Sequence, residues 1–276
     1  MLPFLVSSKN DRTPYFCYTE FIMKWFRWIL LVAIVVIVGL TSYLYYNFFI
    51  YPKMDGQMLR DAEKAVSSGI TIEDKQNDIV SLQGKEEKET KQTNNPQSYT
   101  SPYLDVKAIS VGADDEYLYF KVQYWGQIPI KAEKIGDDKI QGNMMKLNII
   151  NKQGQEQAIL AVNYAWTLFN LSGFETYYFY GPTGIEEPED KRFAHQDKDS
   201  KIFGGPGTDY LIGAFPMEKL GLRQGQTIYL SFLGETKSNK YHHASIDALG
   251  GHGKMAALIT WVIGSNQYQI DDNFFK

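Results

Sequence analysis

The sequence predicts an all-β fold, a two-sheet antiparallel sandwich of about eight strands, behind one N-terminal transmembrane helix. Three observations predict it. The run from Trp28 to Ile50 contains no charged residue. The segments after residue 100 alternate apolar and polar side chains with a period of two, separated by Gly, Asn and Asp turns. No long helical period interrupts them.

Composition narrows the function classes first. The 276 residues are 44% hydrophobic and 22% charged, ordinary for a folded chain with one added apolar segment. A formal net charge of -4 leaves no basic surface to neutralise phosphates, so nucleic acid is excluded as a partner. The single cysteine, Cys17, precedes the apolar run, so no disulfide, thiolate ligand or thiol nucleophile is available beyond it. That usage fits a domain of a bacterial envelope better than a disulfide-stapled ectodomain.

Residues 28–50 are read as the anchor, because roughly 20 apolar residues cross about 30 Å of hydrocarbon. Trp25, Phe26 and Trp28 at one end and Tyr43, Tyr45 and Tyr46 at the other suit the two headgroup regions. Lys9, Arg12, Lys24 and Arg27 precede the run, while Lys53, Arg60 and Lys64 follow it. The bias places the N-terminus in the cytoplasm and the C-terminal domain outside it. Bulky residues after the apolar core argue for an anchor over a cleaved signal peptide. Residues 1–27 then form a short cytoplasmic tail, or an over-extended start ahead of Met23-Lys-Trp-Phe-Arg27.

Residues 51–100 read as a juxtamembrane helix and a polar linker. Asp55 is placed to cap a helix whose Met58, Leu59, Ala62, Ala65 and Val66 share one face, with Gly69 to stop it. From Thr71 onward the composition, including Lys85-Glu-Glu-Lys-Glu-Thr-Lys91, is that of a solvated spacer.

Residues 101–276 read as the sandwich. Leu118, Phe120, Val122 and Tyr124 alternate with Tyr117, Tyr119, Lys121 and Gln123, a half-buried strand, and residues 103–111 precede it across an Ala113-Asp-Asp115 turn. Residues 144–150 and 157–164 flank Asn151-Lys-Gln-Gly154 as a second hairpin. Segments 176–180, 209–215, 227–233 and 256–263 supply further strands, and Pro216 opens one helical turn.

The stretch Asp105-Val-Lys-Ala-Ile-Ser-Val-Gly-Ala-Asp-Asp-Glu-Tyr-Leu-Tyr-Phe-Lys-Val122 resembles the opening of sandwich domains related to family 9 carbohydrate-binding modules and the wider DOMON-like group. Phe215-Pro-Met-Glu-Lys-Leu-Gly-Leu222 resembles a later element of the same domains. The resemblance implies the fold over most of the segment after residue 100; members of that group bind sugars or haem, or have no known ligand. Asn148-Ile-Ile-Asn-Lys152 stands where sugar-binding relatives carry an Asp-rich piece.

For sugar, flat aromatic faces that stack on pyranose C–H faces are needed. Trp125, Trp166, Tyr177, Tyr178, Tyr180 and Tyr229 are available, and Trp125, Tyr178 and Tyr180 are the chosen ligand-binding candidates. The competing reading of each is ordinary strand packing. For metal, His242, His252 and Asp247 are the candidate set, His243 being adjacent to His242 in the same stretch. A haem would need Met144 or Met145 opposite His242 or His252. No hydrolase, zinc-protease or phosphate-loop motif occurs, so no catalytic residue and no cofactor is assigned. The acidic Glu186-Glu-Pro-Glu-Asp190 reads as a solvated loop. The expected function is a non-catalytic, membrane-anchored binding module for envelope or extracellular carbohydrate, contacting the bilayer through residues 28–50. The alternative is a structural or protein-interaction domain of an envelope assembly, and the haem, metal or hydrolase readings come after it.

Overall fold

The computed structural model describes residues 15–45, 53–83, 91–92, 101–135, 138–153, 156–166, 173–180, 199–238, 245–247 and 257–271. The chain divides into two compact units, Met1–Ile50 and Tyr51–Lys276.

The first unit contains helix α1 (Tyr15–Tyr45). Its segment Lys24–Tyr43 has a mean hydropathy of 2.1 and no buried part, and among the described residues it is the one helix long and apolar enough to cross a membrane. Its Ile, Leu and Val side chains from Ile29 to Leu40 are each more than half exposed, so no protein core accounts for them. Thr41 donates its hydroxyl to the Ile37 carbonyl at 2.8 Å, satisfying that polar group within the helix.

The second unit is the two-sheet antiparallel sandwich that the alternation predicts. One sheet has the order β1 (Ile70–Glu73), β4 (Val106–Ala113), β5 (Tyr117–Tyr124), β11 (Tyr210–Pro216), β10 (Lys201–Gly204). The other runs β3 (Lys91–Gln92), β2 (Val80–Gln83), β13 (Ser245–Asp247), β12 (Thr227–Ser238), β7 (Asp138–Ile150), β8 (Glu156–Trp166), β9 (Gly173–Tyr180). Strand β14 (Leu258–Val262) pairs the first half of β12 and also β15 (Tyr268–Asp271), and β6 (Lys134–Ile135) pairs β7.

Between the sheets lies the main core. Leu118, Phe120, Val122 and Tyr124 of β5 are all buried, as their period of two requires, and meet Ile228, Leu230 and Phe232 of β12 in one cluster. The Phe120 and Phe232 rings lie 5.8 Å apart across the gap. The β4–β5 hairpin closes on Asp114, whose Oδ1 accepts the amides of Glu116 and Tyr117. One polar chain crosses the core: the Tyr124 hydroxyl donates to Asn143 Oδ1, and Asn143 Nδ2 donates to Thr236 Oγ1, each at 3.0 Å. After Pro216 comes the short helix α3 (Met217–Leu220), which ends on Gly221 at φ 65°.

The segment expected as a juxtamembrane helix and linker belongs in large part to the sandwich unit. Helix α2 (Gly56–Ser68) forms where the sequence places it, with Asp55 accepting the amides of Gln57 and Met58. Its Ala62, Ala65 and Val66 pack with Tyr119, Ile212 and Ala214 on the outer face of the first sheet. Gly112 lets the helix sit this close, since a Cβ there would meet the Ala65 carbonyl oxygen at 2.1 Å. Strand β1 then adds to the sheet edge beside β4, with Ile70 opposite Val111. The compact unit Tyr51–Lys276 thus includes α2 and β1 as well as residues 101–276. Local composition failed there because Ile70 and Ile72 reach the core through long-range pairing.

Candidate functional site

Two places on the sandwich unit gather side chains with chemistry: the uncovered part of the first sheet's outer face, and one end of the sandwich.

On the outer face, helix α2 covers Tyr119 while the rest of the row continues beyond it. Gln123 pairs Tyr210 in register, so their side chains share the face, and the Gln123 amide reaches Asp209 at 3.3 Å. Lys121 places its ammonium 4.9 Å from the Tyr210 ring centroid. Trp125 follows β5 and is 37% exposed, and the Lys107 ammonium lies 5.5 Å from its ring centroid. Its backbone is fixed on both sides: the Trp125 amide donates to the Asp105 carbonyl and the Gly126 amide to the Pro102 carbonyl, both at 2.9 Å. A Cβ on Gly126 would lie 2.8 Å from Pro102, which is why a glycine follows the tryptophan. The surface thus offers one exposed and one half-buried aromatic ring among an amide, a carboxylate and two ammonium groups.

The three aromatic candidates do not share a sheet. Trp125 extends the first sheet, while Tyr178 and Tyr180 lie in β9 of the second, in register with Ala161 and Ile159. Trp166 is a core residue: it is buried, its Nε1 donates to the Pro129 carbonyl, and its ring lies edge-on to Tyr164. Tyr210 and Asp209 were not singled out from sequence. The signal was present in part, since the period of two in β5 put Gln123 on the outward row, but pairing with β11 supplies the ring beside it.

At the sandwich end, Asp247 closes β13 and is buried. Its Oδ2 accepts the Val106 amide at 2.8 Å. One carboxylate oxygen from each of Asp74, Asp78 and Asp247 falls within 4.8 Å of the others. Asp105, 1% exposed, adjoins them, and its Oδ2 accepts the Asn77 amide at 2.8 Å. Burial pushes the Asp105 carboxyl up to about 6, helped by the Asp78 charge and opposed by the Asn77 amide. Burial also holds Asp247 well above the usual carboxylate range, with Asp74, Asp78 and Asp105 raising it further and the Val106 amide lowering it. Of the metal set read from sequence, Asp247 is thus brought to other aspartates, and His242 and His252 lie outside the described residues. Glu186–Asp190 also lies outside them. Met145 is buried in the core and Met144 is half-buried, with Met145 opposite Val162 and Met144 opposite Asn163.

No family model and no curated protein matches the chain. Among solved structures, a carbohydrate binding module of family 9 from Caldicellulosiruptor kristjanssonii, in complex with cellotriose, is similar at a TM-score of 0.25 and 12% identity. The match covers 52% of this chain and 65% of that one, so this chain spans under two thirds of the module's length. At that score the likeness is slight.

Proposed function

We propose that the protein is a non-catalytic binding module, held in a membrane by residues 28–50 with its N-terminus cytoplasmic. The sandwich is displayed outside the cytoplasm, where it binds envelope or extracellular carbohydrate. The observation that carries the reading is the surface around Trp125. A tryptophan that is 37% exposed, on a backbone fixed by two hydrogen bonds, offers a preorganised stacking platform. Gln123, Asp209 and the flanking lysines, Lys107 and Lys121, supply donors and acceptors for sugar hydroxyls or uronate groups. The resemblance of residues 105–122 to family 9 modules points to the same ligand class. The apolar length of α1 and the cation bias before Trp28 support the anchor and its orientation.

A protein partner is the second reading, and one observation favours it. Strand β15 pairs β14 alone among the described residues, and Val262, Tyr268 and Ile270 of that hairpin are exposed.

The deciding experiment is a glycan-array and polysaccharide pull-down with the full chain in detergent micelles, using neutral and uronate-containing polymers. Trp125→Ala should abolish retention without lowering the melting temperature, and Tyr178→Ala with Tyr180→Ala tests the β9 face in the same way. A folded chain that binds no glycan sinks the carbohydrate reading. A reporter fused after Lys276 that is active only in the cytoplasm would overturn the orientation.

A further inference from the structure

The first turn after β1 carries the chain from one sheet to the other, since β1 pairs β4 while β2 pairs β13. Asp74 and Asp78 flank that turn, Asp105 stands immediately before β4, and Asp247 ends β13. Four carboxylates from three separate parts of the sequence therefore meet where the sheets are joined. Asn77 takes φ 67° in the turn, a conformation asparagine tolerates better than most residues, and this lets its amide reach Asp105.

The two most buried members have oxygens that protein atoms do not satisfy. Asp247 is 4% exposed and Asp105 1%, and among the described residues Oδ1 of each lacks a hydrogen-bond partner. Their other oxygens are held by backbone amides of Val106 and Asn77, which fixes the carboxylate planes. Among the described residues, the charges acting on Asp247 are those of Asp74, Asp78 and Asp105, all of its own sign. Buried carboxylates in this arrangement require a counter-charge or a proton. A hard divalent cation would supply the charge and take up the Asp247 carboxylate together with those of Asp74 and Asp78. Oxygens bound to Ca2+ at about 2.3–2.6 Å lie up to roughly 5 Å apart across the ion. Asp74, Asp78 and Asp247 fall within that span, at 4.8 Å or less.

We propose that Asp74, Asp78 and Asp247, with the Asp105 carboxylate beside them, form a calcium site that locks the β1–β2 crossover to β4 and β13. The Asp105 carbonyl also accepts the Trp125 amide, so the site adjoins the Trp125 surface; its test reads bound calcium and not glycan, so either reading can fail without the other. Calcium suits it better than magnesium, because the ligands are pinned by backbone bonds and magnesium sheds water reluctantly to fit a fixed cage.

The test uses the full chain in detergent micelles, stripped with EDTA and exchanged into chelator-free buffer. Calorimetric titration with CaCl2 should show one ion per chain, and saturating CaCl2 should raise the melting temperature by about 5–10 °C, with MgCl2 giving much less. Terbium added to the stripped wild type should give luminescence sensitised by nearby rings such as Tyr124, removed by added calcium. Asp78→Asn and Asp247→Asn should keep the near-ultraviolet circular dichroism of the fold and lose the calcium shift. An unchanged melting temperature with no heat of binding in the wild type overturns the site. So does an equal shift in Asp247→Asn, and equal stabilisation by magnesium overturns its assignment to calcium.

Discussion

Oδ2 of Asp247 accepts the backbone amide of Val106 at 2.8 Å, so the last residue of β13 in one sheet holds the first residue of β4 in the other. The contact spans 141 positions of sequence and is buried. It makes a single aspartate both a brace between the sheets and a member of an acidic cluster, two roles that substitutions can separate.

Asp247→Asn keeps an oxygen for the Val106 amide and removes the charge, whereas Asp247→Ala removes both. In chelator, the alanine variant should be less stable than the asparagine variant by about 1–3 kcal/mol, the usual consequence of orphaning a buried amide. For a unit of this size that is a gap of roughly 2–10 °C in melting temperature. Equal unfolding curves for the two variants would show that the Val106 bond contributes nothing.

The same cluster sets a pH dependence for the cation-free protein. Asp105 titrates near 6 when folded against an ordinary 3.8, and Asp247 is raised as well. Between those values the folded state binds more protons than the unfolded state, so stability falls as pH rises through the window. In EDTA, the melting temperature of the wild type should therefore drop more steeply from about pH 4 to about pH 6 than that of Asp105→Asn. A shallower wild-type slope would contradict the assigned burial of these groups.

Helix α2 rests on a glycine. Gly112→Ala would put a Cβ 2.1 Å from the Ala65 oxygen and 2.6 Å from the Val66 nitrogen, forcing the helix off the sheet. We expect a loss of about 2 kcal/mol or more, read as a lowered urea midpoint. Gly56→Ala is the control, because the nearest atom there is the Arg60 side chain at 3.7 Å, and it should be neutral or slightly stabilising.

The unit's starting point is testable by truncation. A chain beginning at residue 101 lacks α2 and β1, which uncovers Tyr119, Ile212 and Ala214 and leaves β4 as an open sheet edge. It should lose the sharp thermal transition that a chain beginning at residue 53 retains, as scanning calorimetry would record. A cooperative transition at an unchanged temperature in the shorter chain would place the boundary at residue 101 after all.

The sequence by itself determined the features whose signal is local. The apolar run of α1, the Asp55 cap, the alternation of Leu118, Phe120, Val122 and Tyr124, and the turn at Asp114 each follow from neighbouring residues. From these came the all-β class and the two-sheet sandwich. The tertiary structure alone decided the rest. Strands β1 and β2 are short and sit in a polar stretch, so only pairing with β4 and β13 makes them strands. Tyr210 comes beside Gln123 through strand register, and Asp247 meets aspartates far from it in the chain. The reason is the same in each case: periodicity and capping report what a residue's neighbours along the chain require, whereas a site is made where distant segments are brought together by burying a common core.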